Sequence, residues 1–592
     1  GPAWAAALRP MVPETPAWFS DVSNALAHRH HEEEFDDFLR QPLLPWKLSQ
    51  PGPGLAWQDV DGDGLDELLV GTGRGGVLEW RRNHGEGFER ATLGAPLERD
   101  AAGMVTDPFG GGGWIVALSR YEDGDTHGTV LLRAGPERVE PLKADFPGPA
   151  AQGVLAAADY DADGDLDLFV GGRSVAGRYP VAADSLILRN DGGTPVPDPE
   201  TRAMLEGLGL VTGAAWVDLE DDGWADLVVT CEWGAPRIFA NIQGRFRPRD
   251  LPVRGMPDEI RLSELTGLWS TLGAGDLDGD GRQDLVLGNF GLNSRYAPSR
   301  SHPLRLYFGD WDDSGSVDLL EAQYDARLGI EVPERDLMAL RQAIPSLMLK
   351  FATHRAYAEA STAVVLGEAM ARTQRVEAAV LTSLVLFNRG GHLEAVPLPR
   401  EAQWTPVMGL SVADFDGDGD EDLFVAQNFF AVQPTMSRFD AGRGLLLRNE
   451  RGRLASLRGE DSGILVYGEQ RGCAVADYNR DGRLDLAVGQ NGGPTRLFAN
   501  RVARPGLRVS VRGPAGNPHG MGVRVRVVGD GWLGPAREIR AGSGGLCQDS
   551  PVTVLALPFP AATARLEVRW PGGRIEALEI PPGARELVVQ HR

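Results

Sequence analysis

Short runs of apolar residues broken by Asp/Gly-rich turns fill the chain from about residue 54 to residue 500. Between Val475-Ala476-Asp477 and Leu486-Ala487-Val488-Gly489, one β-patterned run enters an acidic turn and a second leaves it. Such runs, bounded by turn residues, predict strands. The unit returns every ~50 to 60 residues, a period that predicts a radial array of sheets. Each unit ends in an outer hairpin of the form Leu-x-x-Asn-x-x-Gly, as at Ser185–Asn190 and Leu445–Asn449. Inner hairpins begin near Asp59, Asp107, Asp159, Asp218, Asp276, Asp310, Asp414 and Asp477, one more than the outer hairpins. The predicted fold is therefore an all-β, seven-bladed propeller, with eight blades as the alternative. In the seven-blade solution the fifth blade carries the hairpins at Asp276 and Asp310 and an insertion.

The turns have a chemistry of their own. In Asp276-Leu277-Asp278-Gly279-Asp280-Gly281-Arg282-Gln283-Asp284, carboxylates fall at positions 1, 3, 5 and 9. A hard cation such as Ca²⁺ takes six to eight oxygens, and alternate residues of a tight loop point the same way. Asp276, Asp278, Asp280 and Asp284 are candidate ligands, with the carbonyl of Arg282 between them. The pattern recurs at Asp59, Asp61, Asp63, Leu65 and Glu67, and at Asp159, Asp161, Asp163, Asp165 and Asp167. It recurs again at Asp218, Glu220, Asp222, Trp224 and Asp226, and more weakly at Asp310, Asp312, Ser314, Ser316 and Asp318. The series ends with Asp414, Asp416, Asp418, Asp420 and Asp422, then Asp477, Asn479, Asp481, Arg483 and Asp485. At Asp107 the loop has lost these residues to Pro108-Phe109-Gly110-Gly111-Gly112-Gly113. Repetition at constant offsets separates these loops from ordinary acidic turns. Five to seven Ca²⁺ ions are expected, with the Asp310 and Asp477 loops weakest because Ser314 and Asn479 replace charged ligands.

Composition changes the picture at three points. The net charge of -24 is concentrated in these loops, which disfavours nucleic acid as a partner. No apolar run approaches the length of a membrane span, and no signal peptide opens the sequence, whose Gly1-Pro2 resembles a tag-cleavage scar. Three cysteines allow at most one bridge; Cys231 and Cys473 read as small core residues, and Cys547 follows a Gly-rich stretch.

Residues 1–53 read as an N-terminal strap. Its His28-Arg29-His30-His31 segment either binds a transition metal through His30, His31 and a nearby carboxylate or docks through Phe35 and Phe38. Residues 54–504 are the propeller, interrupted at 331–373 by an Ala/Leu/Glu/Arg-rich stretch with helical spacing. From 505 to 592 the acidic loops stop and short alternating strands predict a small C-terminal β-sandwich domain, as in Leu507-Arg508-Val509-Ser510-Val511.

The acidic repeats resemble the FG-GAP/VCBS repeats of integrin α-chain propellers and of many bacterial exported proteins. The C-terminal region resembles the ASPIC/UnbV domain through Gly516-Asn517, Gly520-Met521-Gly522-Val523-Arg524-Val525, Arg537-Glu538-Ile539, Gly542-Ser543-Gly544 and Val568-Arg569-Trp570-Pro571-Gly572-Gly573. It departs from that family at Val554-Leu555-Ala556-Leu557-Pro558, where a His-Phe-Gly-Leu-Gly-like stretch is usual. The combination resembles the cartilage acidic protein group and its bacterial relatives. That resemblance implies an exported calcium-binding protein associated with surfaces, adhesion or matrix, extracellular, periplasmic or at the cell surface. The repeat architecture itself leads us to expect a calcium-stabilised binding or scaffold protein, a monomer whose ligand is a protein or a carbohydrate. No nucleophile elbow, P-loop, dinucleotide fingerprint or His-Glu-x-x-His is present. The competing expectation is an enzyme acting on a polysaccharide or natural-product intermediate at the propeller funnel. Its candidate residues are His302, Tyr324, His354, Arg438 and Asp440, in long loops or near the insertion.

Overall fold

In the computed structural model the described residues are 16–123, 131–143, 152–529, 531–557 and 564–591. Gly1-Pro2, Pro558 and Arg592 lie outside them. The β-patterned runs become antiparallel sheets of four strands, built outward from an axial strand. Among the described residues the axial strands are Leu55–Gln58, Ala101–Thr106, Gln152–Ala158, Leu210–Val217, Thr271–Gly275, Val407–Ala413 and Gln470–Ala476. They pack against one another in that order, and the last packs against the first. The fold is an all-β propeller, with apolar side chains of adjacent sheets forming the cores between them.

The last sheet draws its outermost strand from the N-terminus. Phe19–Asp21 pairs antiparallel with Arg496–Asn500. Part of the expected strap is thus a propeller strand. The reason is simple: the last repeat supplies three strands, and its open edge would otherwise expose unpaired backbone groups.

The interruption is larger than the helical stretch expected at 331–373. Strands Leu304–Gly309, Asp318–Asp325, Ile330–Pro333 and Gln374–Ala378 form a sheet of their own. Short helices, among them Leu337–Ala343 and Thr362–Leu366, connect its last two strands. The Asp310 hairpin therefore belongs to this inserted sheet and not to the fifth blade. Its strand Leu304–Gly309 pairs with Gln374–Ala378, which leaves no edge for the blade strand Asp284–Gly288; that strand pairs with Leu384–Asn388 instead.

The C-terminal region forms two small sheets with a common core of Val509, Val511, Val525, Leu566 and Val568. That core is continuous with propeller residues such as Val105, Leu155 and Leu168.

Candidate functional site: the acidic loops, the domain seated on them and the closed axis

Each acidic turn is closed by its own carboxylates. Asp276 Oδ2 accepts the N–H of Gly281 at 3.0 Å, and Asp280 Oδ1 accepts that of Arg282 at 2.9 Å. Gly281 has φ +91°, a conformation that favours glycine, and the sixth loop position is glycine in the other acidic turns too. The ninth-position carboxylate is a hub. Asp284 Oδ2 accepts the N–H of Leu277 at 3.0 Å and Oδ1 that of Asn388 at 2.8 Å. Glu67, Asp226 and Asp422 repeat both bonds.

The asparagine of the outer-hairpin motif works between blades. Asn388 Nδ2 donates to the Leu219 carbonyl in the loop of the preceding blade at 2.7 Å. Asn190, Asn241, Asn449 and Asn500 reach Pro108, Tyr160, Leu277 and Phe415 in the same way. Asn83 reaches Tyr478 of the last blade. The second blade has Gly135 after Leu131–Ala134 and lacks the latch.

The loops fit a divalent cation by two observations. First, ligand oxygens converge: Asp59, Asp61 and Glu67 place one each within 4.8 Å of one another. So do Asp159, Asp161 and Asp163, Asp276, Asp278 and Asp284, and Asp310, Asp312 and Asp318. Ligands at 2.3–2.6 Å from a common ion stand no more than roughly 5 Å apart. Second, Asp159 Oδ1, Asp167 Oδ2, Asp276 Oδ1 and Asp485 Oδ2 are buried and accept no hydrogen bond. Without a countercharge, burial pushes these carboxyls up: Glu67, Asp226, Asp284 and Asp414 to about 8, and Asp167 to about 9. Arginines of the outer hairpins supply part of the charge. Arg82 pairs with Asp61 at 2.8 Å, Arg249 with Glu220 at 2.5 Å, Arg448 with Asp416 at 2.8 Å, and Arg389 with Asp278. At the degenerate loop Arg133 Nε lies 2.7 Å from Asp107, so a guanidinium stands where the other loops have a candidate cation site.

The C-terminal domain sits on the acidic-loop end of the propeller. Arg508 pairs with Asp477 at 2.6 Å, with side chains 7% and 0% exposed. Arg569 pairs with Asp221 at 2.7 Å, as does Arg524, and Arg537 pairs with Glu421 at 3.0 Å. The Ala536 N–H donates to Asp276 Oδ2 at 2.9 Å, on a candidate ligand. Sequence reading did not find this interface. The signal was present as basic residues on one side of the alternation at Arg508, Arg524, Arg526 and Arg569, but nothing local tells which surface they meet.

Segments enter the axis from both ends. From the acidic-loop end, residues 541–548 enter it: Ala541 O accepts the Ala157 N–H at 2.9 Å, Gly544 O that of Ala214 at 3.0 Å, and Gln548 N donates to Leu55 O at 2.9 Å. A Cβ on Gly544 would stand 1.9 Å from the Leu272 carbonyl oxygen, so only glycine passes here. At the opposite end the N-terminal segment lays Trp46 against Trp233, Phe290 and Phe429, with ring centroids 6.3, 5.4 and 6.4 Å away. Between the plugs remains a cavity of about 110 Å³ bordered by Trp46, Tyr121, Trp269, Phe429 and Leu546. A far larger groove, about 1180 Å³, opens between the outer strands of the third and fourth blades. Arg189, Arg237, Arg245, Arg249, Asp161 and Asp250 line it.

The remaining candidates fall elsewhere. His28 is buried and hydrogen-bonded to Thr495 Oγ1 at 2.8 Å; burial lowers it to about 3. His30 Nδ1 accepts the Gly492 N–H at 3.1 Å, and its buried Nε2 has no partner. Phe35 and Phe38 pack on the core as the docking alternative has it. His302 stacks on Tyr324 with centroids 3.8 Å apart, Arg438 and Asp440 form an exposed pair at 3.8 Å, and His354 opens a short helix. All three cysteines are buried and free.

Residues 218–287 match the family described as FG-GAP-like repeat, and residues 513–592 match the family described as ASPIC and UnbV. The chain carries both modules. The ASPIC/UnbV match covers the domain that caps the propeller after its first strand, and the FG-GAP-like match runs from the acidic loop of the fourth blade into the second strand of the fifth. Among curated proteins, the phosphatidylinositol-glycan-specific phospholipase D of Mus musculus is 30% identical over 227 residues, covering 32% of this chain and 25% of that protein. The Rattus norvegicus protein of the same name is 29% identical over 230 residues, with the same coverage. The chain thus spans a quarter of the length of the curated relatives it matches. Among solved structures, BBS1N in complex with ARL6DN aligns with TM-score 0.37 and 12% identity, covering 82% of this chain and 98% of that one. The V. cholerae biofilm matrix protein Bap1 aligns with TM-score 0.30 and 12% identity, covering 76% and 77%. Among the described residues no helix is long and apolar enough to cross a membrane.

Proposed function

We propose that this protein is a calcium-stabilised, non-catalytic binding or scaffold propeller, exported to act at a cell surface or in a matrix, with a protein or carbohydrate ligand. The filling of the axis from both ends is the observation that carries this reading. A catalytic funnel needs an open concavity with convergent reactive groups. Here Trp46 and residues 541–548 leave about 110 Å³, less than drug-sized ligand pockets of ~300 Å³ and more. The spacious concavity is instead the groove between the third and fourth blades, whose wall mixes arginines such as Arg189 and Arg245 with apolar residues such as Met204 and Phe246, a mixture that suits a surface ligand. Loops built from local carboxylates leave little of an ion's shell for a substrate, which suits structural ions.

The test has two readings on the folded, calcium-loaded chain. Metal analysis at millimolar Ca²⁺ is expected to find five to seven ions, and two or fewer would overturn the calcium reading. Glycan and extracellular-matrix protein arrays are expected to show saturable binding that an Arg245→Glu/Arg249→Glu variant weakens at least tenfold. Turnover of a bound glycan would replace the scaffold reading by the enzyme reading.

A further inference from the structure

A second kind of cation site lies at the other end of the molecule. Glu32 belongs to the N-terminal segment, Asp100 to the link between the first and second blades, and Glu122 to the chain that follows the strand Trp114–Leu118. One carboxylate oxygen from each lies within 4.8 Å of the other two, the spacing found in the acidic loops.

These oxygens have little else to do. Asp100 is 1% exposed; its Oδ1 accepts the Arg74 N–H at 2.8 Å, and its buried Oδ2 has no donor. The Glu122 side chain is 4% exposed and its Oε1 has no donor; neither has either oxygen of Glu32. Arg74 lies 3.0 Å from Glu122 and 3.3 Å from Glu33, and Arg471, which also acts on Glu32, is paired with Glu469 at 2.7 Å, so the three carboxylates stay short of positive charge. Buried carboxylate oxygens without donors are strongly unfavourable unless a cation or a proton neutralises them. A proton is the rival: burial, then the charge of Asp100, pushes Glu32 up to about 9.

We propose that Glu32, Asp100 and Glu122 bind one hard divalent cation of the Ca²⁺ class, and that this ion pins the N-terminal segment to the first two blades. All three donors are carboxylate oxygens, the ligand type of Ca²⁺, Mg²⁺ and Mn²⁺. In the acidic loops the ligands lie within nine residues, so an ion there fixes a turn. Here they come from three segments, so the ion holds tertiary structure and binding is coupled to docking of the strap. The ion lies next to the axis: Tyr121, the neighbour of Glu122, lines the axial cavity.

The test is a crystal of the whole chain soaked in millimolar Mn²⁺ and read by anomalous scattering, which reports each site separately. A peak within about 2.6 Å of all three carboxylates is expected. In a Glu32→Gln/Glu122→Gln variant that one peak should vanish while the peaks at the acidic loops stay, and metal analysis should count one ion fewer. Peaks at the loops with none at Glu32 would overturn this site and leave the calcium loops standing. A peak at Glu32 with empty loops would do the reverse. Survival of the peak in the variant also overturns the assignment. If the double variant does not fold, Glu32→Gln alone serves, read by the same peak and by trypsin cleavage at Arg40. Cleavage should be at least tenfold faster in the variant with Mn²⁺ present; an unchanged rate counts against the pinning role.

Discussion

Asn83 Nδ2 donates to the carbonyl of Tyr478 at 2.7 Å, across 395 positions of sequence. The bond joins the first blade to the last and repeats the latch that Asn190, Asn241, Asn388, Asn449 and Asn500 make to their preceding blades. Together with Phe19–Asp21 on the outer edge of the last blade, it closes the ring by two independent devices.

Asn83→Ala removes the Tyr478 contact and a second bond to the Asp66 carbonyl, and leaves buried carbonyls unpaired. The cost should be about 1–3 kcal/mol. Denaturant titration checks this against Asn293→Ala, whose exposed bond to Trp404 should be worth no more than about 0.5 kcal/mol. Equal midpoints for the two variants would show that the latch does not hold the ring.

Replacing Asp278 and Asp280 by Ala should lower the melting temperature in Ca²⁺ and leave ligand affinity unchanged. A site filled at ten times its Kd contributes about 1.4 kcal/mol. In chelator the gap between variant and parent should shrink. A variant as stable as its parent that loses an activity outright would make this ion functional.

The pH response of the chelated protein has a definite sign. Folded-state values near 8 for Glu67, Asp226, Asp284 and Asp414, and near 9 for Asp167, lie above the unfolded values of about 4. Raised carboxyls stabilise the fold fully below the unfolded value, and this contribution is lost as pH rises through the folded one. The chelated protein should therefore melt lower at pH 8.5 than at pH 6. Calcium replaces the protons and should flatten that decline. Melts at the two pH values, with and without Ca²⁺, decide the matter; a chelated protein that gains stability toward pH 8.5 contradicts it.

Arg508→Met breaks a buried pair and leaves Asp477 uncompensated, a change that typically costs about 3–5 kcal/mol. Because Asp477 is also a candidate ligand, added Ca²⁺ should recover part of the loss. Proteolysis in the 501–506 link, followed by mass spectrometry, should show the C-terminal domain released faster in chelator than in calcium. No difference between the two conditions would separate Arg508 from the metal.

Gly544→Ala places a methyl group against the Leu272 carbonyl oxygen, at a residue with φ +84°. The expected result is withdrawal of residues 541–548 from the axis, with faster hydrogen exchange at Ala157 and Ala214, whose amides donate to this segment. Unchanged exchange at both amides would mean that the plug tolerates the methyl group.

The sequence by itself determined what is local. A loop such as Asp276–Asp284 is closed by bonds between residues at most seven apart, so its turn, its glycines and its converging carboxylates can be read from spacing alone. The asparagine of the outer hairpin was legible as a motif, because its Oδ1 caps its own turn, as Asn388 does with the Gly390 N–H. Tertiary structure decided everything that depends on a distant partner. The carbonyl that the asparagine reaches, the edge that Phe19–Asp21 covers and the separate sheet around Asp310 carry no local signature. Nor does the choice of Asp477 as the partner of Arg508, or the meeting of Glu32 with Asp100 and Glu122. Hydrogen bonds and charges act over a few ångströms whatever the separation in sequence. Those closed within a turn appear in the order of residues, and those closed across the ring appear only once the chain has folded.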